Sequence, residues 1–307
     1  LANMLRHARL AFSSRAFCTS ASAAAAAASG SGALAELKAL EERIGGRQRP
    51  GRRELREVLS WCTTAEEAEA AVGFAGRLHR TQAATASKAS SSSAAAPPLL
   101  GSAVTLDLVR ACVRAGSVTS ARLVLEHHAE LGLEPTAAAT HALLAGASSA
   151  AEARAALALH KTRFGFPVSG RTAHLAVSGA LRSSSSSSSG DAFALARSLV
   201  DADGVALRRE TLVGLAVAAA EAADAKQLQW AAERLAPAEG GLAQAKAALA
   251  SRVDAERSAA LSSGPGLAPE LAEALGLAAA EPPTKEASAG SGDGDGTIET
   301  ESETKSS

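Results

Sequence analysis

The chain has 307 residues with 31 basic and 32 acidic side chains, a formal net charge of −1, and so lacks the overall positive field of a protein that coats nucleic acid. Hydrophobic residues make up 47% but aromatics only 3%, and there is no tyrosine. Much of the apolar content is alanine, which buries little area where a larger side chain would contribute about 1.5 to 3 kcal/mol; this excludes a thick sheet sandwich. Strands favour β-branched and aromatic residues, which are sparse here, whereas alanine is the best intrinsic helix former. The expected fold class is all-α.

In chain order, residues 1–32 read as an address followed by low complexity. Met4 is the only methionine and marks the expected start of translation, leaving Leu1 to Asn3 as a gene-model overhang. Arg6, Arg9 and Arg15 with no acid, and Leu5, Leu10, Phe12 and Phe17 at amphipathic spacing, have the composition of an organelle transit peptide. Arg15-Ala16-Phe17 before Cys18-Thr19-Ser20 resembles a mitochondrial processing site, so cleavage is expected between Phe17 and Cys18. The expected destination is the mitochondrial matrix, with the plastid as the alternative. Ala23 to Gly32 is expected to be disordered.

Residues 33–80 are expected to hold a helical hairpin, Glu54 to Trp61 and Ala65 to His79, with Leu55, Val58 and Leu59 facing Ala68, Val72 and Leu78. Arg47, Arg49, Arg52, Arg53 and Arg56 form a local basic cluster beside a turn containing glycine and proline. It suits weak, nonspecific contact with single-stranded RNA phosphates, or it is a solvated arm. Residues 81–103, rich in alanine and serine, are expected to be a linker.

Helical patterns then recur over 104–235. Leu108, Val109, Cys112 and Val113 form one apolar face stopped by Gly116. A second, from Val118 through Ala121 and Leu125 to Leu131, ends at Gly132 and Pro135. A second unit runs from Pro135 through Leu143 and Leu144, then Ala153, Ala156 and Leu159, to Pro167. A third carries Leu175, Val177 and Leu181, then Phe193, Leu195 and Leu199, its inter-helix turn swollen by the serine run Ser183 to Ser189. A fourth passes Leu212, Val213, Leu215 and Val217, turns at Asp224, and returns through Leu228, Trp230 and Leu235. One hairpin cannot cover both of its faces, which is the logic of an α-solenoid of helix-turn-helix repeats. Residues 236–280 should cap the array with helices over 241–261 and 269–279, and 281–307 is an expected acidic disordered tail.

Catalytic chemistry finds no residues to carry it. Cys62 and Cys112 read as small buried apolar side chains, with no paired cysteines for a metal. His127 and His128 are adjacent, so their rings diverge on a helix by about 100° and chelate poorly. Asp191, Asp201 and Asp203 only flank a repeat turn. No catalytic residue, metal, cofactor or small-molecule substrate is expected, nor a membrane span, because no apolar run approaches the roughly 20 residues needed.

Residues 104–135 resemble a pentatricopeptide repeat, a helix pair of about 35 residues. The family's basic residue, alanine and glycine, then alanine, then glycine, a hydrophobic residue and proline fall at Arg114-Ala115-Gly116, Ala121, Gly132, Leu133 and Pro135. The resemblance covers about 104–235, with 54–79 a weaker member. The tetratricopeptide repeat is the near alternative, but its tryptophan, glycine and tyrosine signature is missing from the first helix.

The pentatricopeptide resemblance implies recognition of single-stranded RNA, one base per repeat, through two side chains. Those RNA-facing candidates are Leu106 with Thr136, His141 with Val168, and Ala173 with Arg208. The family pattern needs Asn, Ser or Thr at the first place and Asp, Asn, Ser or Thr at the second, and none of the three pairs matches. The expectation is therefore a noncatalytic adaptor in organelle RNA metabolism or translation, partnered by a protein assembly such as a ribosome or respiratory complex. The alternatives are an RNA-binding factor for processing or stability of organellar transcripts, and a tetratricopeptide-like peptide-binding module.

Overall fold

The computed structural model describes residues 31–46, 50–89, 100–182, 188–263 and 266–277, and every regular element among them is a helix. Three helices open the chain: α1 (Ser31–Gly45), α2 (Arg52–Trp61) and α3 (Ala65–Ala89). Four hairpins follow: α4 (Gly101–Arg114) with α5 (Val118–Glu126), α6 (Ala137–Gly146) with α7 (Ala150–Ala158), α8 (Gly170–Leu181) with α9 (Ser188–Asp201), and α10 (Arg209–Glu221) with α11 (Ala225–Leu235). Three short helices, α12 (Gly241–Ala250), α13 (Ala255–Ser263) and α14 (Pro269–Ala274), end the described chain. The expected transit peptide with Phe17 and Cys18, the expected tail 281–307, and Arg47 and Arg49 lie outside the described residues.

Local chemistry sets the boundaries. Thr136, Ser149 and Ser169 cap α6, α7 and α8, their hydroxyls accepting from the N–H of Ala139, Glu152 and Thr172, each at 3.2 Å. Asp224 does the same for α11 through Gln227 at 3.0 Å. These side chains satisfy amide donors that the first turn leaves without partners. At the other end, α4 closes in a Schellman motif: the Ser117 amide donates to Cys112 O at 2.9 Å and the Gly116 amide to Val113 O at 3.0 Å, with Gly116 at φ 72°.

Helix α4 packs beside both α2 and α6, α6 beside α8, α8 beside α10, and α10 beside α12, so the first helices of successive units form a continuous row. Small residues let them approach. A Cβ on Gly179 of α8 would stand 3.1 Å from the Ala147 Cβ, and one on Gly146 of α6 would stand 2.7 Å from Val113 Cγ1 of α4. Leucines fill what alanine leaves open: Leu108, Leu125, Leu143, Leu144, Leu199, Leu215, Leu228 and Leu235 are fully buried, with Phe74 and Phe193.

Basic side chains tie the ends of this row. Arg114 at the end of α4 donates to Leu59 O at the end of α2, 2.6 Å away, and Arg182 beyond α8 donates to Ala145 O and Ala147 O at the end of α6, each at 2.7 Å. Each cation meets the carbonyls that a helix C-terminus leaves unsatisfied, where the macrodipole is negative. Arg114 thus fastens α4 to α2.

The structure departs from the sequence expectations in three places. The segment 81–103, expected as a linker, is helical at both ends: α3 runs on to Ala89 and α4 begins at Gly101. Alanine and the straight-chain residues there propagate a helix that is already nucleated, and serine costs it little. Helix α1 was not anticipated, and it buries Ala33, Leu37 and Leu40 against the helices that follow. The expected single helix 241–261 is two, because Asp254 begins a second one by accepting from the Arg257 amide at 2.9 Å.

Candidate functional site

Most of the positions expected to face a base are engaged within the array. Thr136 is occupied as the cap of α6. His141 Nε2 lies 2.9 Å from Thr172 Oγ1 of the next first helix, α8. Leu106 and Val168 are half-buried and pack against the core. Ala173 is fully buried and cannot face a ligand, a correction to its expected place on an open face: it lies in the seam that α8 makes with its neighbours. Arg208, just before α10, is exposed.

A buried polar ladder lies in the first helices. Thr105, Thr140, Thr172 and Thr211 occur once in each of the four first helices, and all are buried. Thr105 Oγ1 accepts from the Glu134 amide at 3.1 Å, and Thr211 Oγ1 lies 2.9 Å from His174 Nδ1 of α8. Thr140 meets His160, which a π-helical turn over Leu159–Arg163 rotates inward. His160 Nε2 donates to Pro167 O at 3.1 Å, because a carbonyl can only accept, and its Nδ1 lies 2.7 Å from the Thr140 hydroxyl oxygen. His141 stacks on His160 with ring centroids 5.2 Å apart. Burial is the main cause that pushes both imidazoles below their ordinary pKa, with the neighbouring His160 adding to it for His141. Recurrence of one threonine per first helix was the sequence signal that could have revealed this ladder.

The arginine cluster divides. Arg53 and Arg56, together with Arg110 and Arg114 of α4, line a cleft of about 520 Å³ between α2 and α4, whose other walls are Glu57, Leu59, Ser60 and Asp107. Arg52 lies apart from it, near Gly101. Asp107 is the pivot: its carboxylate accepts from Arg56 Nε at 2.6 Å and stands 4.0 Å from Arg110. Its side chain is 19% exposed while those of Arg56 and Arg110 are 51% and 56% exposed, so one sheltered carboxylate holds two guanidiniums that remain open to solvent. Arg53 has no ion-pair partner among the described residues. Trp61, directly after the cleft residue Ser60, is 47% exposed, the one large apolar side chain that stands out so far among the described residues. The sequence showed Arg53 and Arg56; Arg110, Arg114 and Asp107 join them only because α4 packs beside α2.

Burial sets the state of the cysteines. It pushes the Cys62 thiol up to about 11, with Glu67 adding to the shift, and the Cys112 thiol up to about 12, with Cys62 adding to it. Both are unpaired, buried thiols. Among the described residues no three His, Cys, Asp or Glu side chains are grouped to hold a metal ion, and no helix is long and apolar enough to cross a membrane. Comparison with known proteins finds no matching family model, no matching curated protein and no matching solved structure.

Proposed function

We propose that the chain is a noncatalytic adaptor of the mitochondrial matrix, an α-solenoid of pentatricopeptide-like hairpins that joins a protein assembly in organelle RNA metabolism or translation. The observation that carries this is the fate of the base-facing positions. His141 is engaged with Thr172, Thr136 caps a helix, and Ala173 is buried. A side chain already engaged within the array has fewer groups to offer a base edge, and base discrimination depends on such hydrogen bonds. What the array offers outward at its amino-terminal end is an arginine-lined cleft next to a tryptophan, residue types enriched where proteins bind one another.

The test is fluorescence anisotropy of the full chain with pooled single-stranded organellar RNA at low and physiological salt, beside sedimentation of the tagged protein from organelle extracts with and without ribonuclease. The adaptor predicts weak RNA binding that vanishes with salt, and fast sedimentation with a large assembly. Tight, sequence-dependent RNA binding at physiological salt would defeat it.

A further inference from the structure

We propose that the cleft between α2 and α4 is a docking site for a short acidic segment of a partner protein, whose carboxylates pair with Arg53, Arg56 and Arg110 while Trp61 seats an adjoining apolar side chain. The proposal rests on the adaptor function and names the chemistry of the partner.

Charge balance comes first. Four guanidiniums line the cleft against two carboxylates, those of Glu57 and Asp107. Asp107 engages Arg56 through Nε alone and Arg110 only at 4.0 Å. A guanidinium carries five N–H donors, so both retain most of theirs for an incoming anion. The contact with Asp107 holds Arg56 in place, which lowers the entropy that binding must remove. Arg53, without an ion pair among the described residues, lines the cleft and is exposed.

Arg114 has a different part. Its Nη2 donates to Leu59 O at 2.6 Å, so it ties α4 to the last turn of α2. That same turn carries Ser60, whose hydroxyl bonds back to Glu57 O, and then Trp61. The apolar element is thereby held at a constant place relative to the basic one. Tryptophan and arginine are both among the residue types enriched at protein-binding hot spots.

The extent of the patch decides between a peptide and a polynucleotide. A single strand is bound along several nucleotides by a continuous positive groove. Here the row of first helices continues from α4 into α6, and Ala137–Gly146 contains no charged residue at all. On the other side, Arg43 of α1 pairs with Glu54 of α2, and Glu41 of α1 with Arg77 of α3. Among the described residues the cleft is thus flanked by an uncharged helix and by paired charges, and the exposed Trp61 follows its lining residue Ser60 in the chain. That shape fits a few carboxylates followed by a leucine or phenylalanine better than it fits a run of phosphates.

The experiment uses the full chain and two fluorescein-labelled probes: a short peptide of alternating Asp and Glu around a central Leu-Phe pair, and an oligouridylate of equal length. Anisotropy is read for the native protein and for Arg53→Glu and Trp61→Ala, both at exposed positions, with circular dichroism confirming that each variant melts like the parent. The peptide should bind more tightly than the oligouridylate at physiological salt, and each variant should weaken it by about tenfold or more. Absence of peptide binding, or peptide binding unchanged in both variants, would overturn the proposal. So would oligouridylate binding that is the tighter of the two and lost in Arg53→Glu, which would make the cleft a nucleic-acid contact. Tight RNA binding indifferent to both variants, alongside peptide binding lost in both, would sink the adaptor function while upholding the cleft.

Discussion

The contact between α2 and α4 and the contacts joining α6, α8 and α10 are the same packing arrangement filled with opposite chemistry. In the middle of the array, neutral pairs cross from one first helix to the next, His141 to Thr172 and His174 to Thr211, and Thr172 and Thr211 are buried. At the amino-terminal end the crossing pair is charged, Arg56 with Asp107, and its arginine is half exposed. A buried neutral hydrogen bond holds helices together, because leaving either partner unsatisfied costs about 1 to 3 kcal/mol. A solvent-exposed ion pair holds them weakly, within about 1 kcal/mol, and leaves its charges open to a ligand. The middle therefore carries the stronger polar crossings, and the end keeps its charges exposed to solvent.

The strongest way to break this contrast is to carve the middle. Leu144→Ala, at a fully buried site on α6, should cost about 2 to 5 kcal/mol in urea unfolding. Trp61→Ala, at an exposed position directly after the cleft residue Ser60, should stay within about 0.5 kcal/mol. If the two variants were equally stable, the division between a structural middle and a binding end would fail.

Next in size is the fastening of helix ends. Arg182→Ala removes donors from Ala145 O and Ala147 O and should cost about 1 to 2 kcal/mol, read as a lower urea midpoint with an unchanged slope.

The histidine ladder gives a sharper test, through pH. His141 and His160 have folded-state pKa values below their ordinary 6.5, so the unfolded chain binds their protons more readily. Stability is then full above pH 6.5 and falls as pH drops below it. Thr172→Val, which removes the partner of His141, should cost about 1 kcal/mol at neutral pH. His160→Gln should flatten the pH dependence between neutrality and the histidine range. A profile that stays as steep in His160→Gln would place the titrating group elsewhere.

The smallest effect belongs to the charged crossing. A double-mutant cycle of Arg56→Ala with Asp107→Ala should give a coupling of at most about 1 kcal/mol, shrinking with added salt. A coupling as large as the loss in Leu144→Ala would contradict the weak, exposed character assigned to this end.

Much of the helical layout was legible because its causes are local. The apolar spacing of Leu108, Val109 and Cys112, and the glycines at 116 and 132, announce a hairpin without reference to anything distant. The stretch 81–89 misled for an equally physical reason: an alanine- and serine-rich segment has little to bury and reads as a loop, yet alanine prolongs a helix already begun. The cleft was half legible. Arg53 and Arg56 are close in sequence, whereas Asp107, Arg110 and Arg114 reach them only across the packing of α4 on α2.

Local rules were enough for composition to determine an all-helical chain and for glycine, proline and capping residues to divide it into hairpins, since propensity, periodicity and caps act within a few residues of one another. Tertiary structure alone decided which side chains of those hairpins are spent on neighbours and which are left free. It buried Ala173, turned His141 toward Thr172, and set Arg56 against Asp107, because each of those outcomes depends on which helix lies alongside rather than on the residues next in the chain.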